Sequence, residues 1–348
     1  MIELQHNELV ISFPEVHADA KLHIGFQRTL RIPDDDRVYP LPPGLGNFPL
    51  VHVDDYSDKV PADWLDHGGI ILPMYQAEAM WIHFRPTFSH TRHVAYPFAI
   101  KVSTGKIDAI TGSSHSNGLH KNPQDYLIVP NQPWLDGYCV KKGVIRQFVA
   151  MPLGEGFTAE EQITKKAEHG GIQLVVYPMK PDEYERRFPV VPPRQEVWGS
   201  RGSFGALPSG AGWGGAAPPA SMGLSPGGRM HQEIYEDTFG LNSWDLDSKS
   251  RCFVHIANSL VWHSITGTLP PHMPPSASDY SNAGLPWFDY YSDDKALKGS
   301  AKLGNLKSVQ AMSGWGPSAK VANESCYPMH VVQLRKGLKP GQVREGDF

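Results

Sequence analysis

The chain has 348 residues and a formal net charge of −4 at pH 7, and its 34 glycines and 31 prolines form about 19% of it, against roughly 12% in average proteins. A hydrophobic content of 40% and an aromatic content of 10% exclude a mainly disordered chain, and the lack of a Gly-every-third repeat excludes collagen. Because glycine and proline disrupt helix interiors, this composition also disfavours a helical bundle.

The first predicted elements are strands. Apolar residues alternate with polar ones over residues 20–32, and Arg28 is the one charged residue at an otherwise apolar position. Residues 9–13 are the expected partner strand in an antiparallel sheet. Gly105 is expected to supply the turn of a hairpin, since it can adopt a positive φ. The hairpin strands and three further strands are predicted at 98–102, 107–111, 126–129, 144–151 and 172–177.

Few helices are predicted. Thr158 and Glu161 form a capping box at the start of a helix that ends by Gly170. Asn258 is expected to cap a second helix, which Gly267 terminates. Other helices are predicted at 76–83 and 302–312, and other strands at 252–256 and 331–334. The predicted fold is mainly β with a few short helices, a β-sandwich or jelly-roll-like core, and long ordered loops rich in proline and glycine, such as residues 40–50.

A Gly-rich stretch at 199–228 divides the chain. It contains ten glycines and four prolines, and its only charged residue is Arg201. Large apolar side chains are costly to leave in water, so we expect an arm that packs on its own fold or on another subunit, with a flexible linker as the alternative. The predicted organisation is a β-rich domain (1–190), the arm (191–230) and a smaller α+β domain (231–348). The predicted interface residues are Phe204, Leu207, Trp213, Met222 and Leu224.

Four histidines form the best candidate metal site. His90 and His93 are separated by two residues, and His115 and His120 by four, so a hairpin could bring two pairs of imidazoles together. Established metalloprotease spacings such as HEXXH are absent, and both pairs lie in loop-like sequence. No cofactor is therefore predicted, and a divalent metal is kept as the alternative.

Two charged residues in apolar stretches are the candidates for catalysis. Glu78 lies within residues 73–81 and Arg146 within residues 144–149, and a buried charge without a partner is costly. A structural pair between them is favoured over a role as general acid and partner. The sequence shows no GxSxG nucleophile elbow and no phosphate-binding loop of the GxxxxGK[ST] type.

Two tryptophans follow prolines in loop sequence. Trp134 and Trp287 could stack on a sugar or a protein surface, or could cap the core. The chain lacks an evident signal peptide and an apolar run long enough for a membrane span. Its three cysteines are an odd number and form no CxxC motif, which favours a reducing compartment over a disulfide, and the cytoplasm is the expected location. Without a basic face, nucleic acid is not an expected partner.

Three functions remain open from the sequence. The first is a non-catalytic binding or assembly protein that forms homo-oligomers through the Gly-rich arm and the Trp-bearing loops. The second is a metal-dependent or carboxylate-based hydrolase with a pocket between the two parts. The third is a carbohydrate-binding protein. The small-molecule or glycan ligand is unknown.

Overall fold

A computed structural model describes residues 1–190, 221–292, 294–312 and 325–335. In these ranges the fold is mainly β with a few short helices, which confirms the predicted fold class. The strands are β1 (Ile2–Gln5), β2 (Glu8–Ser12), β3 (Lys21–Thr29), β4 (Val38–Tyr39), β5 (Gly44–Asn47), β6 (Val51–His52), β7 (Ile70–Met74), β8 (Ala79–Pro86), β9 (Phe88–Ser89), β10 (Val94–Ala95), β11 (Phe98–Thr104), β12 (Ile107–Asp108), β13 (Leu127–Val129), β14 (Trp134–Leu135), β15 (Gly137–Lys141), β16 (Val144–Pro152), β17 (Ile172–Pro178), β18 (Ser221–His231), β19 (Ser250–Asn258), β20 (Trp287–Tyr291) and β21 (Val331–Arg335). The helices are α1 (Ala62–His67), α2 (Ala159–Thr164), α3 (Pro181–Arg187), α4 (Ser259–Thr266), α5 (Ala277–Asn282), α6 (Ala301–Gly304) and α7 (Val309–Met312), with short 3-10 turns at Asp54–Tyr56 and Leu241–Ser243.

One large sheet organises the fold. Strand β3 pairs antiparallel with β2 on one side and with β8 on the other, and its buried residues alternate with partly exposed ones as the sequence predicted. Strand β16, which is buried along its whole length, pairs with β8, β15 and β18. Pairings of this kind join seventeen of the described strands, while β9–β10 and β20–β21 form two small separate sheets.

Strands from the predicted β-rich domain, the predicted arm and the predicted α+β domain share this sheet. Strand β18 pairs with β16, and β19 pairs with β17 and β7. The largest hydrophobic cluster likewise runs from Leu9 to Leu306. The described strands of all three predicted parts therefore bury their apolar faces together.

Several local predictions are confirmed. The capping box at Thr158 and Glu161 is present at the start of α2, and Asn258 caps α4, which ends at Gly267. Strands β11 and β12 form the predicted hairpin, and both Gly105 and Lys106 in its turn have positive φ. Within the described ranges, no helix has the length and apolar character needed to cross a bilayer.

Three helix predictions are wrong in type or extent. Of the residues predicted as a helix at 76–83, those from Ala79 onward instead enter β8, whose eight residues pair with β3, and this pairing outweighs their helical propensity. Helix α2 ends at Thr164, where Lys165 adopts a left-handed conformation, well before Gly170. The predicted helix at 302–312 is two short helices, α6 and α7.

Candidate functional site

Three of the four candidate metal-binding histidines contact different groups. Nδ1 of His115 lies 3.0 Å from Oγ of Ser103, and burial lowers the pKa of His115. Nδ1 of His120 lies 2.8 Å from Asp125, whose carboxylate also binds Lys101. The ring of His90 packs against Phe88 at 5.4 Å, and His93 has a φ of 52°. Among the described residues, no group of three or more His, Cys, Asp or Glu side chains could hold a metal ion.

Glu78 is paired with Arg28 and not with Arg146. Its Oε1 accepts from Nε and Nη2 of Arg28 at 2.8 and 2.6 Å, and its Oε2 accepts from the backbone N–H of Tyr75. Burial raises the pKa of Glu78, and the neighbouring Arg28 opposes that shift. Arg28, which interrupts the apolar face of the first predicted strand, is thus the partner of the buried Glu78 carboxylate. The two side chains meet because β3 and β8 are neighbours in the sheet.

Arg146 has a different environment. It lies in β16, is 7% exposed, and donates from Nη1 to the backbone oxygen of Leu306 at 3.2 Å. Burial lowers its pKa, while the nearby carboxylate of Asp34 acts in the opposite direction. Arg146 and Glu78 therefore make no pair, and the predicted pairing is wrong.

The predicted interface residues divide into two groups. Met222 and Leu224 are 1% exposed in β18, where they pair with β16, so they belong to the core and offer no surface to another subunit. The many glycines and the lack of charge had placed them in the predicted arm, but a buried central strand also carries no charge. Phe204, Leu207 and Trp213 lie outside the described residues.

The two loop tryptophans also differ. Trp287 is fully buried within a hydrophobic cluster that includes Leu41 and Met230, so it caps the core and is not available to stack on a ligand. Trp134 is only partly buried and packs at the margin of the same cluster. Of the two predicted stacking residues, only Trp134 has an accessible ring.

Trp134 belongs to a row of three partly buried aromatic side chains. Its ring centroid lies 6.2 Å from that of Trp81 with an interplanar angle of 64°, and 4.9 Å from that of Tyr290 with an angle of 62°. The sheet positions these residues, since β14 pairs with β8 in the register Trp134 to His83. We call Trp81, Trp134 and Tyr290 the aromatic row.

A second surface feature is an irregular segment between α4 and α5. Residues 268–276, which we call the Pro-rich segment, contain four prolines in the sequence Pro270-Pro271-His272-Met273-Pro274-Pro275 and no regular secondary structure. Leu269 is 81% exposed and Met273 is 69% exposed. The segment is held by Arg28, which donates from Nη2 to the backbone oxygen of His272.

Sequence reasoning missed Trp81 because it placed residues 76–83 in a helix. The signal was present, since Met80, Ile82 and Phe84 alternate with Trp81, His83 and Arg85 as in a half-buried strand. The Pro-rich segment had a signal too, a doubled proline on each side of two other residues.

Comparison with protein-family models, with curated proteins and with solved structures finds no match to this chain.

Proposed function

We propose that this chain is a non-catalytic binding protein that associates with copies of itself, by docking the Pro-rich segment of one copy on the aromatic row of another. The observation that carries the proposal is the position of Trp134, whose ring contacts those of both Trp81 and Tyr290 at steep angles. The three rings are partly exposed, and surfaces lined by aromatic rings are those on which proline-rich ligands dock.

The dimensions of the two features support the proposal. Prolines hold φ near −65° and favour the polyproline II helix, which rises about 3.1 Å per residue, so Pro271 and Pro274 would stand about 9 Å apart. The two centroid separations put the ends of the aromatic row, Trp81 and Tyr290, no more than about 11 Å apart. One turn of the Pro-rich segment therefore matches the length of the row.

The exposure of the segment supports docking between copies. Leu269 and Met273 are both mostly in water, so neither is seated on the aromatic row of its own chain. Burying a large apolar side chain contributes about 1.5–3 kcal/mol, so burial of Leu269 and Met273 against a second copy would favour association. The segment is already held through Arg28 and the buried Glu78, so docking orders little additional chain.

We also propose that the protein acts in the cytoplasm. Cys139, Cys252 and Cys326 are buried and unpaired, which suits a reducing compartment.

The proposal is tested by measuring the mass of the full chain in solution by sedimentation velocity between 1 and 200 μM. We expect the wild type to associate, and both Trp134→Ala and the double variant Leu269→Ser/Met273→Ser to associate at least tenfold more weakly. An equimolar mixture of the two variants should recover association, since each supplies the part that the other lacks. Leu246→Ser is the control, because Leu246 is also exposed but lies outside both features.

Two results would overturn the proposal. A wild type that stays monomeric at 200 μM excludes self-association. Association that persists unchanged in both variants shows that copies meet elsewhere, for example through the predicted Gly-rich arm.

A further inference from the structure

A cleft beside the aromatic row has a polar lining that the proposed self-association does not use. It lies where the β15–β16 turn, the end of β18 and the β20–β21 pair meet, and its volume is about 250 Å³. Pockets for drug-sized ligands have volumes of roughly 300–1,000 Å³, so this cleft suits a ligand of single-ring size. Its lining residues are Gly143, His231, Gln232, Glu233, Asp289, Tyr290 and Gln333.

Three polar side chains of the cleft, Gln232, Asp289 and Gln333, make hydrogen bonds that fix their positions. Gln232 is 4% exposed, donates to Oδ2 of Asp136 at 2.6 Å, and accepts from the backbone N–H of Asp136 at 3.1 Å. On the other wall, Oδ2 of Asp289 accepts from Nε2 of Gln333 at 3.1 Å across the β20–β21 pair. Within the described part of the chain, Oδ1 of Asp289 is buried and has no hydrogen-bond partner. The cleft therefore has three fixed polar side chains, one of which, Asp289, has an unused acceptor.

We infer that this cleft binds a saccharide ring. Carboxylates at Glu233 and Asp289 can accept hydrogen bonds from hydroxyl groups, and the amide of Gln333 can both donate and accept. Tyr290 supplies an aromatic face against which the apolar C–H groups of a sugar pack. A polyhydroxylated ring needs donors, acceptors and one flat apolar face together, and these residues provide all three.

A small organic cation is the competing ligand. Acidic side chains beside an aromatic ring also suit an ammonium group, which would use Glu233, Asp289 and Tyr290 alone. The N–H groups of Gln333 and His231 can donate to a sugar hydroxyl, but an ammonium group offers them no acceptor. This difference favours the saccharide and sets one outcome of the test.

The test is saturation-transfer difference NMR on the full chain, with the methyl pyranosides of glucose, galactose and mannose and with N-acetylglucosamine, each at 10 mM, and with choline for comparison. We expect saturation transfer to at least one sugar and none to choline. Asp289→Asn and Glu233→Gln should each weaken the binding of that sugar about tenfold, since the sugar hydroxyl then donates to a neutral amide oxygen in place of a charged carboxylate. Asp66→Asn, on the exposed side of α1, is the matched control and should bind as the wild type does.

Three outcomes would overturn the inference: no transfer to any of the four sugars, equal transfer in the wild type and both cleft variants, or transfer to choline that the variants abolish. Circular dichroism melting curves of each variant exclude loss of fold as the cause. The Leu269→Ser/Met273→Ser variant separates this inference from the proposed self-association, because its cleft is intact and it should bind the sugar as the wild type does.

Discussion

At the scale of single residues, Glu78 shows how a buried charge acquires its partner. The side chain of Glu78 is 1% exposed and that of Arg28 is 11% exposed, so their pair is largely removed from water. Fifty positions separate them in the chain, and only the pairing of β3 with β8 makes them neighbours. Once both are buried, removing the charge of one leaves the other without compensation.

Glu78→Gln is therefore expected to lower the free energy of unfolding by about 3 kcal/mol, since it leaves the Arg28 guanidinium without a counter-ion in a mostly buried site. The measurement is urea denaturation at pH 7 followed by circular dichroism. Glu168→Gln is the matched control, because Glu168 and its partner Lys166 are both exposed, and it should leave stability unchanged. A loss below 1 kcal/mol for Glu78→Gln would contradict the expectation.

A second residue-scale prediction concerns Asp136, which is 2% exposed. Burial raises its pKa to about 7, and its side-chain hydrogen bond from Gln232 opposes the shift. The folded protein thus keeps a proton that the unfolded chain releases near pH 4. Because the folded state binds more protons between these two values, this residue lowers the free energy of unfolding as pH rises from about 4 to about 7.

Asp136→Asn removes this ionisation and keeps an acceptor for Gln232. Measured by urea denaturation between pH 5 and 7, the stability of the variant relative to the wild type should rise by roughly 1.4 kcal/mol per pH unit. Comparing each variant with the wild type at the same pH cancels the contributions of other groups, such as His255, whose pKa burial lowers to about 4. The exposed Asp66→Asn variant should show a flat difference. A flat difference for Asp136→Asn as well would disprove the prediction.

At the scale of elements, the turn of the β11–β12 hairpin is packed so tightly that it has no space for a side chain at Gly105. Gly105 has a φ of 52°, and a Cβ added there would lie 2.3 Å from Oε2 of Glu160. Glu160 accepts hydrogen bonds from the backbone N–H groups of residues 168, 169 and 170. The turn and the loop after α2 are therefore packed against the same carboxylate.

Gly105→Ala should destabilise the fold more than Gly118→Ala, measured as the free energy of unfolding in urea. Both glycines have positive φ, at 52° and 76°, so both substitutions carry backbone strain of order 1 kcal/mol. Only Gly105 also faces a steric clash, since no atom lies within 4 Å of a Cβ at Gly118. We expect a further loss of about 2 kcal/mol at Gly105, as for other overpacked sites. Equal losses at the two positions would show that space is not limiting.

Buried glutamines connect irregular segments to the strands. Gln147 in β16 accepts from the N–H of Ile32 at 3.0 Å and donates to the oxygen of Leu30 at 2.8 Å. Gln173 likewise accepts from the N–H of Lys106 and donates to the oxygen of Gly170. Long Pro- and Gly-rich segments have backbone groups that no sheet satisfies, and these side-chain amides satisfy some of them. Nothing in the periodicity of the sequence distinguishes such a glutamine from an exposed one.

At the scale of the whole molecule, a shared sheet decides which residues lie together. Strand β18 carries no charge before Arg229 and reads in the sequence as part of the Gly-rich arm, yet it pairs with β16 across the middle of the sheet. The glycines of β18 allow close packing, since a Cβ at Gly228 would lie 2.2 Å from the backbone oxygen of Pro33. Part of the Gly excess therefore serves the packing of a central strand.

The sequence by itself determined the class of fold, the position of β3 and the starts of two helices. Alternation predicted β3 and its pairing with β2, and side-chain capping predicted the starts of α2 and α4, because these signals act within a few residues. Only the tertiary structure decided the partner of Glu78, the burial of Trp287 and the neighbours of Trp134, since each follows from pairing between distant strands. The propensity of residues 76–83 favoured a helix, and eight residues of pairing with β3 overrode it. Contacts between distant parts of the chain leave no periodic pattern, so the aromatic row became visible only once the strands were side by side.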